Sequence, residues 1–104
     1  MQTNEQKALI LSLIRDDLIN RKLVDGLRNL GMDADMYMLH LSSTIFGLLQ
    51  VQDSFEGDKL FAKYERLSAK ATAIDIHTSH QPLDALALEI YTYLMTHRQK
   101  LPNK

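Results

Sequence analysis

Residues 60–74 read LFAKYERLSAKATAI. Leu60, Tyr64, Leu67, Ala71 and Ile74, with Thr78 beyond them, recur at alternating steps of four and three. That spacing lays one apolar line along a helix and is the seam by which helices pack side by side in bundles. Phe61 widens the line. A half-buried strand would alternate every second residue, and this stretch does not. A helix is therefore expected over 58–79, closed by Thr78 to Gln81. Pro82 suits the first turn of the helix that follows.

Working outward, the same test picks out three more helices. Residues 82–100, with Leu101 just beyond, carry Leu83, Leu86, Ala87, Ile90 and Leu94 on one face. Leu88, Tyr91 and Met95 form a second line roughly 120° away. Asp33 is a favourable N-cap for a helix over 33–52, and Asp35 adds charge where the helix dipole welcomes it. The main stripe of that helix is Ala34, Tyr37, Met38, Leu41, Ile45, Leu48 and Leu49, while Met36, Leu39, Ser43, Phe46 and Gly47 occupy the opposite side. Ser43 and Gly47, four apart, leave room for another helix to come close. The first helix is expected over 4–30, opened by the Thr3/Gln6 capping spacing and closed by Gly31 in a left-handed conformation. Its stripe is not straight. Ile10, Ile14 and Leu18 share one edge and Leu23, Leu27 and Leu30 another, so it bends near Asp16 to Arg21 or is covered on two sides.

Four helices with short connections, each burying one stripe, make an all-α domain over residues 1–104, a small antiparallel four-helix bundle. The composition agrees. The 104 residues include two prolines, four glycines and 45% apolar residues, the balance of a globular helical domain. The net charge of −1 supplies no general attraction to nucleic acid or to an anionic membrane. There is no cysteine, which removes disulfides, thiolate metal sites and cysteine nucleophiles together. Ala8 to Ile14 runs directly into Arg15-Asp16-Asp17 and reads as helix, not as a signal peptide. Residues 36–51 are too short and too polar to span a bilayer. The expected location is the cytoplasm.

Several constellations of polar residues bear on chemistry. His77 and His80 are three apart, but two ligands do not make a zinc site, and histidines in a last turn satisfy carbonyls and complement the dipole. Asp53, Glu56, Gly57 and Asp58 lack the ligand order of an EF-hand and read as a solvated turn. Asp17 and Arg21 form an i,i+4 pair near an apolar edge, where Asp17 is expected to be partly buried. Lys59, Lys63, Arg66 and Lys70 fall on one strip of the third helix, a pattern able to meet phosphates or an acidic protein. No aromatics are interleaved with it, so a solvated outer face accounts for it better. His40 sits in an otherwise uncharged helix. The histidine-phosphotransfer domain, also a small four-helix bundle, places a Lys and a Gly just after its histidine, whereas here Leu41-Ser42-Ser43-Thr44 follows. A packed or interface role for His40 fits the residues better. No cofactor and no catalytic group are expected.

The surplus apolar lines carry the functional reading. A monomer has no place to bury second stripes on three helices, so a homo-oligomer or a protein partner is expected to cover them. The contact surface is expected on Met36, Leu39, Phe46, Leu88, Tyr91 and Met95, with Ile10, Ile14 and Leu18 as a second patch. The same residues would serve equally as monomer core. Nucleic acid is the alternative partner, through the strip on the third helix.

Overall fold

Local signals at Gly31 and Asp33 decide where the first half of the chain turns back on itself. The computed structural model describes residues 4–50, 55–74 and 81–98, and all the regular structure among them is helical. The elements are α1 (Asn4–Lys22), α2 (Val24–Asn29), α3 (Ala34–Leu48), α4 (Phe55–Ser68) and α5 (Gln81–Arg98). A 3-10 turn over Ala69–Ala73 extends α4.

The helix expected over 4–30 is divided at Leu23, whose φ of −103° and ψ of 8° lie in the bridge region. Leu23 N still donates to Ile19 O at 3.0 Å and Leu27 N to Leu23 O at 2.9 Å, so the backbone ladder bends without breaking. The bend comes just after Asp16 to Arg21. It separates the two edges seen in the sequence: Ile10, Ile14 and Leu18 go into the core, whereas Leu23 and Leu30 stay exposed.

Past α2 the chain turns back at Gly31, which has φ +80°. Gly31 N donates to Arg28 O at 2.9 Å and Met32 N to Leu27 O at 3.0 Å, the paired bonds of a Schellman ending. Asp33 then caps α3, its Oδ1 accepting from Met36 N at 2.9 Å. The far end of α3 is reached at Leu48, short of the expected 52. Gln50 takes φ +59° and its N–H donates to Gly47 O at 3.1 Å, a left-handed ending made without a glycine. Helix α4 starts at Phe55, ahead of the expected 58, so Glu56 to Asp58 belong to its first turn and not to a loop. It also stops sooner than expected. After the 3-10 turn, Ile74 is extended (φ −86°, ψ 131°), which ends the helix expected to run to 79.

Helix α1 is central: it packs on α3, α5, α4 and the 3-10 turn, while α4 packs on α5 and α2 on α3. The core joins Ile10, Ile14 and Leu18 of α1 to Ile45 of α3, Leu60, Tyr64 and Leu67 of α4, and Leu83, Ala87, Ile90 and Leu94 of α5. The four-three seam is buried at Leu60, Tyr64, Leu67 and Ala71, and Ile74 is half-buried.

The two left-handed endings predict opposite mutational effects. An L-residue loses about 1–2 kcal/mol in this conformation and glycine does not. Gly31→Ala should lower the unfolding free energy by about 1 kcal/mol, and Gln50→Gly should raise it by a similar amount. Urea denaturation of both variants checks this, and effects of the same sign would contradict the backbone assignment.

Candidate functional site

Two features of α1 stand out from simple packing: a buried polar cluster on one side and an open pocket on the next. Asp17 is fully buried. Its Oδ2 accepts from the Tyr64 hydroxyl of α4. Arg21, one turn on, reaches both carboxylate oxygens at 3.3 Å and donates to Glu65 Oε2 at 3.0 Å. The guanidinium also lies 5.8 Å from the centre of the Tyr64 ring. Burial is the strongest influence on Asp17 and holds its carboxyl above the ordinary 3.8, although Tyr64 and Arg21 pull it down. The Tyr64 phenol is pushed up, by its own burial first and by the Asp17 charge second. Neither group reaches solvent, so the cluster acts as a strut between α1 and α4.

The adjoining side of α1 is hollow. A pocket of about 330 Å³ opens between α1, α2 and the start of α3, lined by Asp16, Ile19, Asn20, Leu23, Leu27, Met32, Asp33, Ala34 and Tyr37. It forms because the Gly31 turn folds the first residues of α3 back against the end of α1. Asn20 pins that arrangement, its Nδ2 donating to Ala34 O at 3.0 Å. Its Oδ1 is buried without a hydrogen-bond partner among the described residues, a situation costing about 1–3 kcal/mol when nothing donates to it.

The charges around the pocket are uneven. Cations from this part of α1 are engaged away from it: Arg15 with Asp84 at 3.0 Å, Arg21 in the strut, and Lys22 donating to Thr72 O at 3.0 Å. Arg28 of α2 holds Asp35 at 2.6 Å and Asp25 at 3.7 Å. Both charged lining residues, Asp16 and Asp33, are carboxylates, and neither has an ion pair among the described residues.

The residues expected to form a contact surface are not brought together. Met36, Leu39 and Leu88 are exposed. Phe46 and Met95 are half-buried against the core, with Phe46 meeting Phe61 and Tyr64 edge to face at 5.3 and 5.6 Å. Tyr91, Ile10, Ile14 and Leu18 lie in the core of the single chain, because their edges face α1, α3 and α5 neighbours once the helices assemble. They are therefore withdrawn from any contact surface of the folded chain.

The basic strip is also divided. Lys63 sits 5.6 Å from the Tyr93 ring centre and Lys70 lies 3.6 Å from Glu89, so both are directed towards α5. Lys59 and Arg66 are exposed. His40 is exposed on α3, and His77 and His80 fall outside the described residues. Sequence reasoning missed the pocket. Its one visible signal was the second edge of the first helix, Leu23, Leu27 and Leu30, which diverges from the core edge. Comparison with models of protein families, with curated proteins and with solved structures finds no match.

The strut predicts a specific pH dependence. Because the folded-state pKa of Asp17 is raised, the folded chain keeps a proton that the unfolded chain has released above 3.8. Stability from this group is present at low pH and is lost as pH rises through the folded-state value. Asp17→Asn keeps an acceptor for Tyr64 and removes the titration, so its stability relative to wild type should improve as pH is raised from 3 to 7. Asp17→Ala leaves the phenol and guanidinium uncompensated and should cost about 3 kcal/mol. Urea midpoints across this pH range test both, and a wild-type advantage that grows with pH would show the opposite shift.

Proposed function

We propose that this chain is a helical protein-interaction domain, a four-helix bundle that assembles with itself or serves as a small partner subunit. In this reading α1 and α2 count as one bent helix. The bundle arrangement is supported by α1 lying beside α3 and α5, by α4 lying beside α5, and by the slighter contact of α1 with α4 through the Asp17 strut. The single observation behind the interaction reading is where the exposed apolar groups fall. Of the nine large hydrophobic residues left exposed among the described residues, seven lie within residues 23–48.

Helix α3 presents the continuous part of this surface. Met36 and Leu39 are 60% and 56% exposed, and His40, Ser43 and Gly47 are exposed beside them. No Asp, Glu, Lys or Arg occurs from 36 to 50. A Cβ placed on Gly47 would meet nothing within 4 Å, so this face is open. An uncharged helical face of this kind, offered to water, gains by association because its apolar area is then removed from solvent.

Light scattering after size exclusion, over a concentration series, tests the reading. The wild-type mass should rise above 11.9 kDa, and Met36→Glu/Leu39→Glu should return it to the monomer with an unchanged circular dichroism spectrum. Both positions are exposed, so the monomer itself should change in stability by no more than about 0.5 kcal/mol. A wild type that is monomeric throughout removes self-association and leaves a different protein as the partner. Loss of helix in the variant would place these side chains in the core and overturn the surface.

A further inference from the structure

We infer that the pocket between α1, α2 and α3 receives a basic amphipathic helix of another protein, which sets one large apolar side chain into it. This rests on the interaction reading above, but concerns the pocket and not the outer face of α3. Ile19, Leu23, Leu27 and Met32 make the walls apolar, and the volume of about 330 Å³ accommodates a leucyl or aromatic side chain. Leu23 and Met32 are about half exposed at the pocket, so apolar contact continues past what a small ligand would cover. A helix laid across a groove makes contact of this extent, with anchors one turn apart.

Charge selects the partner. Around this end of the molecule Asp16, Asp25, Asp33 and Asp35 face only one guanidinium, Arg28, which Asp25 and Asp35 already share. Arg15, Arg21 and Lys22 are bound elsewhere on α1. Asp16, and the Asp33 oxygen not engaged in capping α3, are thus left for lysines or arginines that flank the anchor. The unpartnered Oδ1 of Asn20, a residue only 3% exposed in the pocket lining, likewise lacks a donor. Complementary charge of this kind steers encounter and discriminates between partners.

The test titrates the 15N-labelled full chain with a short synthetic helix of leucine and lysine, and with its counterpart in which every lysine is glutamate. The lysine peptide should shift the amides of Leu23, Gly26, Gly31 and Tyr37 and should bind at least about tenfold more tightly than the glutamate peptide. Asp16→Lys, at an exposed position without an ion pair, should weaken the lysine peptide about tenfold while leaving the dichroism unchanged. Met32→Glu provides a second variant that blocks the apolar entrance and should also weaken binding. Equal binding of the two peptides, shifts confined to α4 and α5, or no binding by either peptide would overturn the inference. Concentration-dependent shifts of the same four amides without peptide would also overturn it, assigning the pocket to a second copy of this chain. The mass of Met36→Glu/Leu39→Glu tests the α3 face separately, so either reading can fail while the other stands.

Discussion

Asp17 carries a carboxylate to a position with no access to water, and burying such a group is costly unless other groups replace the water. On α1 itself only Arg21 is in reach, one turn away. The remaining partners come from α4, where Tyr64 donates to the carboxylate and Glu65 holds the far side of the guanidinium. This requirement ties the rotation of α1 to the rotation of α4. With Asp17 turned towards Tyr64, the neighbouring Leu18 and Ile14 face the core, and Ile19 and Leu23 are carried round to the side where α2 and α3 leave their pocket. The polar strut therefore constrains how α1 sits in the apolar core, and through it the edge left open.

The same geometry explains how a chain of nearly neutral charge acquires an acidic end. The cations of α1 point to three different neighbours: Lys7 and Arg15 to α5, Arg21 to α4, and Lys22 to the 3-10 turn. The exposed contacts stabilise the packing a little, and the buried one mainly replaces the water that Asp17 has lost. The result is a separation of charge that the net value of −1 conceals. Carboxylates on the pocket side, Asp16 and Asp33, have no equivalent cation opposite them among the described residues.

Helix ends were legible where a residue has one good reason to be there. Gly31 and Asp33 read correctly because a left-handed turn and an N-cap are local demands met by one residue each. Gln50 shows the limit of that reasoning. Its left-handed conformation ends α3 at Leu48 although glutamine gives no such signal, and the residues before it, Ile45 and Leu49, are buried in the core. The 3-10 turn over Ala69–Ala73 was invisible for a similar reason. Its alanines favour an α-helix, yet the chain forms a 3-10 turn that lies against α1 with Ala71 buried.

The sequence by itself determined that the chain is helical and which edges are apolar, because a period of 3.6 residues is written in the order of the side chains. It also marked Asp17 as a carboxylate near a core edge and Met36 and Leu39 as apolar groups on the wrong side of their helix. Tertiary structure alone decided which apolar lines found a neighbour. Ile10, Ile14, Leu18 and Tyr91 did, Met36, Leu39 and Leu88 did not, and nothing in their residue types separates the two groups. Burial belongs to pairs of helices, and the contacts that settle it, such as Asp17 with Tyr64 or Asn20 with Ala34, join residues 47 and 14 positions apart. A local pattern records which face of a helix is apolar, but not what comes to lie against it.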